Sequence, residues 1–197
     1  NFLFKNSKIK IFLISFFWVI FAVLFLQFII FPFFLENSKY NVYLIFPDSV
    51  TIHDNSIKLK DVFLDSQEQW KLIPDKWSLV PKSYEKWIAD PDILTGLVSL
   101  IYYLTYSHPL VLLPFNALIH GISALIFFSI LNLISKNNNY SFIATLPFVF
   151  FPTAFYWNAQ ILKDGIFILG NLICLWSILS TINLIFNFDN LKKYFIN

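Results

Sequence analysis

Three side chains suited to acid–base chemistry lie close together early in the chain: Asp48, His53 and Asp54, within the stretch PDSVTIHDNSIKL. A carboxylate can take a proton from an attacking hydroxyl group, and a neighbouring histidine or carboxylate can orient that carboxylate or tune its pKa. The spacing does not match a zinc signature such as HExxH, so we expect no metal site. A simpler interpretation is that Asp48 closes a Pro-Asp turn and that the other two side chains face solvent.

A second candidate is the adjacent pair Lys163 and Asp164, in the stretch FPTAFYWNAQILKDG that covers residues 151–165. The pair separates two apolar segments, and ionisable groups are unfavourable inside a membrane unless they reach water or a partner. One interpretation is that the two residues only mark a membrane boundary, where a lysine can extend its amine to water. The alternative is that they belong to a polar site at that boundary.

Polar residues also recur inside an apolar segment, where Asn116, His120 and Ser123 follow at i, i+4 and i+7. This spacing places them on one face of a helix, and polar groups in a membrane helix usually face the helix bundle. They can serve as interhelical hydrogen-bonding groups, or His120 can bind a substrate. Further along, a stripe of small residues predicts a helix-packing face. Its members are Gly170, Cys174, Ser177 and Thr181.

The composition decides which elements must position these residues. Hydrophobic residues make up 57% of the chain and charged residues only 13%, whereas soluble proteins carry about a quarter charged residues. This composition indicates a polytopic α-helical membrane protein. The formal charge of +2 and the absence of a basic run argue against a nucleic-acid partner. Because the sequence has no methionine and stops soon after an apolar segment, we expect it to be a fragment of a longer protein.

The apolar segments and the lysines predict a topology. About four transmembrane helices are predicted, at residues 11–35, 110–134, 140–156 and 165–186. The apolar segment 93–106 is too short to span, so an interfacial or re-entrant placement is expected. Lysines flanking the spans then gather on one side, which the positive-inside rule makes cytoplasmic. The protein is therefore expected in the cytoplasmic (inner) membrane, with its long loop and the Lys163–Asp164 boundary outside.

The chain thus divides into an N-terminus with the first span (1–35), an outer loop (36–109) and three further spans (110–197). The loop segment 36–92 contains ten of the twelve acidic residues, which indicates exposure to water. It also contains Trp70, Trp77, Tyr84 and Trp87, which favour a membrane interface. Tyr84, Trp87 and Ile88 would share one face of a short helix that Pro81 could start. The predicted fold is an all-α polytopic membrane protein whose long outer loop carries interfacial helices.

Three segments together carry a resemblance to a known family. HPLVLLPFNALIHGISALIFF (108–128), PTAFYWNAQILKDG (152–165) and PDSVTIHDNSIKL (47–59) resemble segments of the GT-C membrane glycosyltransferases. The most similar members are bacterial and archaeal relatives of protein mannosyltransferases. The resemblance implies transfer of a sugar from a polyprenyl-phosphate donor to an acceptor at the outer membrane face.

The resemblance also implies roles for individual residues. Asp48 would be the general base on the acceptor hydroxyl, and Lys163 would stabilise the lipid-phosphate leaving group. The implied substrate-binding residues are His53, Asp54, His120, Lys163 and Asp164. The implied partners are membrane lipids, the polyprenyl-phosphate-linked sugar and a glycan, lipid or protein acceptor. No cofactor is implied.

Two other functions remain open. A polysaccharide polymerase or a lipid-linked glycan transporter could use the same outer polar residues to bind a lipid-linked phosphate. The absence of arginine weakens this interpretation, because bidentate hydrogen bonding to a phosphate favours arginine. A non-catalytic polytopic membrane subunit, whose loop binds a partner protein, is the alternative from another class.

Overall fold

The computed structural model describes residues 7–30, 47–65, 70–73, 78–81, 92–151 and 164–196. Most of these residues are helical, as predicted. The elements in chain order are α1 (Ser7–Phe25) with a π-helical turn (Leu26–Ile30), α2 (Pro47–Leu64), β1 (Trp70–Ile73), β2 (Ser78–Pro81), α3 (Ile93–Leu104), a 3-10 turn (Pro109–Leu112), α4 (Leu113–Ser135), α5 (Asn138–Phe150) and α6 (Asp164–Ile196).

Three helical segments are long and apolar enough to cross a membrane: Ser7–Ile30, Pro109–Ser135 and Asp164–Ile185. They have 24, 27 and 22 residues, and a helix rises about 1.5 Å per residue, so each exceeds the roughly 30 Å of a bilayer core. The predicted helical fold is confirmed for most of the described residues, and these three candidate spans agree with the expected membrane protein. The remaining predicted span, 140–156, is only partly described. Its described part belongs to α5, which has 13 residues. A fourth span therefore stays a prediction.

The described residues form two compact units. The first contains α1 as far as Val23, α4 from Phe115, α5 and α6. Its core is a cluster of fully buried side chains from three of these helices, with the Trp18 ring packed edge-on against Phe150 at a centroid distance of 5.0 Å. The buried members are Ile11, Ala124, Phe128 and Val149.

A two-residue connection joins α4 and α5, which makes them an antiparallel hairpin. Lys136 adopts the left-handed conformation, with a φ of 53°, and ends α4. Asn137 then caps α5, because its side-chain oxygen accepts hydrogen bonds from the backbone N–H groups of Asn139 at 2.9 Å and Tyr140 at 3.3 Å. The second predicted span, 110–134, therefore ends within one residue of the last residue of α4, Ser135.

Close approach of α1 and α4 depends on the absence of a side chain at Gly121. A Cβ atom built there would lie 3.0 Å from Cε2 of Phe12 and 3.4 Å from its carbonyl oxygen. In a membrane, small residues let helix backbones approach closely and gain van der Waals contact. Gly121 therefore allows α1 and α4 to pack closely in the first unit.

The predicted packing face of α6 is not packed against the described part of the chain. Its small residues Gly170, Cys174, Ser177 and Thr181 are all exposed. The two hydroxyl groups bond within the helix, from Ser177 to the carbonyl of Ile173 at 2.8 Å and from Thr181 to that of Ser177 at 2.9 Å. These intrahelical bonds satisfy both hydroxyls without a neighbouring helix, and a packing role for this face stays a prediction.

The second unit contains the chain from Leu24 to Pro114 among the described residues, and with it α2, the two strands and α3. β1 and β2 pair in antiparallel fashion, with Trp70 opposite Pro81 and Ile73 opposite Ser78. The strands differ from the purely helical loop that was predicted. The expected interfacial helix with Tyr84, Trp87 and Ile88 lies outside the described residues.

The Pro-Asp turn considered for residues 47 and 48 is also corrected by the structure. Pro47 is the first residue of α2 and Asp48 lies in its first turn. Proline suits the first helical position because its fixed φ matches the helix and its missing N–H has no intrahelical partner there. An acidic residue is likewise favoured in a first turn, so the same two residues that suggest a turn start an 18-residue helix.

We expect Gly121→Leu to destabilise the protein in detergent, because the new side chain would overlap the ring and backbone of Phe12. Overpacking typically costs about 1–3 kcal/mol. The matched control is Gly170→Leu, since a Cβ at Gly170 meets no described atom within 4 Å. The midpoint of thermal unfolding should fall for the first variant alone. Equal midpoints for both variants would contradict the close approach at Gly121.

Candidate functional site

The candidate site lies between α2 and α3, whose facing surfaces are unusually polar. Ile52, Ser56 and Leu59 of α2 are buried at helical spacing, and Ser49 lies one turn earlier on the same face. The buried face of α3 is formed by Thr95, Val98, Ser99 and Tyr102, at i, i+3, i+4 and i+7. Small polar side chains lie beside an apolar cluster at this interface, so hydrogen bonds contribute to its packing alongside apolar contacts.

The N-terminus of α3 is fixed by Asp92. Its carboxylate accepts hydrogen bonds from the backbone N–H of Thr95 at 2.8 Å and from the Thr95 hydroxyl at 2.9 Å. Asp92 is thus the N-cap of α3, a position at which aspartate is favoured. The Ser56 hydroxyl of α2 donates to the carbonyl of Thr95 at 3.2 Å, so the capped turn is also where the two helices are joined.

A buried hydrogen bond joins His53 of α2 to Tyr102 of α3. The His53 Nδ1 atom lies 2.8 Å from the Tyr102 hydroxyl, and the rings meet edge to face at 82°. Tyr102 is only 2% exposed and His53 is 9% exposed. Which atom donates depends on the imidazole tautomer. In either tautomer the bond fixes the orientation of the ring, which is how proteins prepare a histidine for proton transfer or for positioning.

Burial keeps both groups neutral. Desolvation raises the pKa of the Tyr102 phenol above its ordinary value. It also lowers the pKa of His53, and the neighbouring His108 lowers it further, whereas Asp54 acts in the opposite direction. A charged imidazole would lose hydration here without a closely paired carboxylate. The arrangement therefore holds an oriented, neutral imidazole at neutral pH.

The structure separates the three residues that the sequence groups together. Asp48 is exposed and Asp54 is half-exposed, whereas His53 is buried. Successive residues of a helix are rotated by about 100°, so Asp48 lies about 140° from His53 and about 120° from Asp54 around α2. Asp48 is thus presented to solvent, while His53 faces α3. The described residues contain no group of three or more His, Cys, Asp or Glu side chains that could hold a metal ion.

A second link joins the end of α2 to the segment after α3. The Lys60 amine donates to the Ser107 hydroxyl at 2.8 Å and lies 3.7 Å from the carboxylate of Asp61. His108, the next residue, caps the 3-10 turn, because its Nδ1 accepts a hydrogen bond from the backbone N–H of Leu110 at 3.2 Å. Sequence reasoning missed Tyr102, Ser56 and Lys60. The one signal for Tyr102 was polar residues at helical spacing within the apolar segment 93–106.

His120 belongs to the first unit and is buried, at 5% exposure. Its ring stacks on Phe148 with a centroid distance of 5.4 Å and an angle of 11°, and its Nε2 atom has no hydrogen-bond partner among the described residues. Ser123 is also buried, and its hydroxyl donates to the carbonyl of Ile119 within the same helix. The prediction that this face turns inward is confirmed for both, but Ser123 makes its bond within α4 rather than between helices.

The two residues of the other candidate pair have different outcomes. Lys163 lies outside the described residues, so its proposed contact with a phosphate stays a prediction. Asp164 is the first residue of α6 and is exposed. A negative charge is favourable at a helix N-terminus, which gives Asp164 a structural explanation independent of any ligand.

We expect Tyr102→Phe to loosen the packing of α2 on α3, because it leaves Nδ1 of His53 buried without its partner. An unsatisfied buried polar group costs about 1–3 kcal/mol. Tyr103→Phe is the matched control, since Tyr103 is 49% exposed and removal of its hydroxyl should change little. Hydrogen exchange of the α3 amides in the intact protein measures the difference. Equal exchange in both variants would mean that the His53–Tyr102 bond contributes nothing.

Acidification should open the same interface. Because the pKa of His53 is lowered in the folded state, the unfolded state binds a proton first as pH falls below about 6.5. Stability is therefore full above that pH and falls as pH decreases towards the folded-state pKa of His53. The measurement is the rate at which a thiol reagent labels a cysteine at the buried position Ser99, divided by the rate at the exposed position Tyr103, both in a Cys174→Ser background. This ratio should rise when the pH is lowered from 7.5 to 5.5. His53→Gln should remove most of that pH dependence; an unchanged ratio in the wild-type background would contradict the assignment.

Comparison with known proteins assigns no function to this pair of helices. Comparison of the chain with protein-family models, with curated proteins and with solved structures found no match. The resemblance to GT-C glycosyltransferases rests on the three sequence segments alone.

Proposed function

We propose that this chain takes part in the transfer of a sugar from a polyprenyl-phosphate donor to an acceptor at the outer membrane face, with Asp48 as the general base. The observation that carries the proposal is the position of Asp48, which is exposed on the first turn of a helix whose other face is fixed against α3. A general base must reach the proton that it removes while being held in a defined geometry. A carboxylate on an anchored helix meets both conditions.

The second unit also supports a role at the membrane surface. It contains Leu24–Ile30, the end of the first apolar segment, and Pro109–Leu112, the start of the second. α2 thus belongs to the same compact unit as the ends of two membrane-spanning candidates. The phosphate of a polyprenyl-linked sugar lies at the boundary between lipid and water. The lysine distribution favours the outer face for this unit.

The other candidate residues take different roles in the proposal. His53 is tied to Tyr102 inside the helix pair, so it positions α2 rather than contacting a substrate. Asp54 is half-exposed and can contact an acceptor, whereas Lys163 is assigned to the lipid phosphate on the strength of the resemblance and its charge. Asp164 would orient Lys163. The resemblance alone assigns His120 to substrate binding, and its ring is buried against Phe148.

A non-catalytic membrane subunit is the second candidate, and the surface of α6 favours it. The span Asp164–Ile185 contains an 18-residue apolar window, and no residue of that window is buried against the rest of the described chain. A helix of this kind offers its whole circumference to other helices. A subunit whose last span docks on a partner protein would have this property, although further spans of the same protein would cover α6 equally well.

The test compares Asp48→Asn with Asp61→Asn, because both carboxylates are exposed on α2. Membranes containing each protein are supplied with a radiolabelled polyprenyl-phosphate sugar, starting with mannose, and the released polyprenyl phosphate is measured. Loss of a general base lowers the rate by about 10²- to 10⁴-fold, so Asp48→Asn should lose transfer while Asp61→Asn keeps it. Membrane insertion is checked for both variants.

Two results would contradict the proposal. Transfer by Asp48→Asn within a few-fold of the wild-type rate would remove Asp48 from the mechanism. Failure of the correctly inserted wild-type protein to use any polyprenyl-phosphate sugar would favour the subunit. In that case, crosslinking from cysteines along α6 should capture one defined membrane protein.

A further inference from the structure

α3 presents two faces of opposite character. The face against α2 is buried and contains small polar residues, together with Val98 and Tyr102. The opposite face carries large aliphatic side chains at i, i+4, i+7 and i+11, which form one straight stripe along the helix. Their exposed fractions are 85% for Ile93, 48% for Leu97, 48% for Leu100 and 70% for Leu104. We call these four residues the aliphatic stripe.

α2 has the complementary arrangement. Its outward face carries charged residues at the same spacing of i, i+4, i+7 and i+11, and these lie opposite the buried residues Ile52, Ser56 and Leu59. The charged residues are Asp54, Lys58 and Asp61, together with Asp65, which directly follows the last residue of the helix. By contrast, the segment 93–106 contains no Asp, Glu, Lys, Arg or His. Because each helix turns its buried face to the other, the charged face and the aliphatic stripe point away from each other.

The length and attachment of α3 decide what can cover the stripe. Its 12 residues extend about 18 Å, which is too short to cross a bilayer core of roughly 30 Å. The 3-10 turn Pro109–Leu112 begins the second membrane-spanning candidate, and Leu112 packs in the same core cluster as Val98 and Tyr102. α3 is therefore held beside the end of a membrane-spanning segment.

From this arrangement we propose that the aliphatic stripe of α3 is inserted into the adjacent leaflet, at the boundary between headgroups and acyl chains. The α2–α3 pair then lies flat on the membrane, with α3 in lipid and the charged face of α2 in water. Two tyrosines at the end of the stripe support lipid as the occupant, because Tyr103 is 49% and Tyr106 is 71% exposed. Tyrosine favours the headgroup level, where its ring meets lipid and its hydroxyl meets water.

This placement is distinct from a re-entrant segment, which would carry α3 deep into the bilayer. A deep position would bring the attached α2 with it, and the carboxylates of Asp61 and Asp65 would then leave water. It is also distinct from a protein-covered surface. The stripe contains only aliphatic side chains, whereas protein interfaces usually surround their apolar centre with a polar rim.

Fluorescence quenching in the intact protein tests the placement. Single cysteines are introduced at Leu97 and Leu104 of the stripe, and at Lys58 and Asp61 of α2 as matched controls. The background is Cys174→Ser, because Cys174 is exposed. Each variant is labelled with an environment-sensitive fluorophore and reconstituted in phosphatidylcholine vesicles. Quenchers are aqueous iodide and phosphatidylcholines that carry a nitroxide near the headgroup or near the acyl-chain end.

We expect blue-shifted emission at positions 97 and 104, with loss of intensity to the shallow nitroxide and protection from iodide. Positions 58 and 61 should show the reverse. Quenching of the stripe positions by iodide would overturn the proposal, since the stripe would then face water. Stronger quenching by the deep nitroxide would indicate a re-entrant helix, and protection from all three quenchers would indicate that protein covers the stripe. Each of these results excludes insertion at the headgroup boundary.

Discussion

The hydrogen bond between His53 and Tyr102 is the contact on which the second unit depends. α3 has only 12 residues, and isolated helices shorter than about 12–15 residues are marginal in water. α2 is longer, but its buried face includes serines, an asparagine and a histidine that gain little from burial alone. Neither helix is expected to be stable by itself. Pairing joins His53 to Tyr102 and lets Ser56 donate to the carbonyl of Thr95, so we expect the helices and their interface to form together.

The two units achieve close packing in different ways. In the first, the approach of helices depends on the missing side chain of Gly121 and on aromatic contacts such as Trp18 with Phe150. Within lipid there is no hydrophobic gain from bringing apolar helices together, so fit and contact area decide their association. In the second unit, directional bonds at Ser56, His53 and Lys60 fix the register of α2. A sliding of one helix along the other would break all three bonds at once.

This difference explains what the sequence could predict. Three apolar segments, the Asp92 cap and the end of α4 before Asn137 all have local signals in the sequence. α2 was missed because its buried positions include Ser49 and Ser56, which an apolar periodicity cannot detect. The partners His53 and Tyr102 are 49 residues apart, so no local pattern connects them. Grouping Asp48 with His53 by proximity in sequence failed for the same reason: a helix turns neighbours to different sides.

The exposure of α6 has a consequence for biogenesis. The hydroxyl groups of Ser177 and Thr181 bond within the helix, and the most apolar 18-residue window of its 22-residue apolar segment buries no residue against the rest of the described chain. Nothing in the described chain has to be in place before such a helix enters the bilayer. The segment can therefore leave the translocation machinery as an independent unit, whether or not α1, α4 and α5 have already assembled around Gly121. Errors in the assembly of those three helices would then leave the insertion of α6 unaffected.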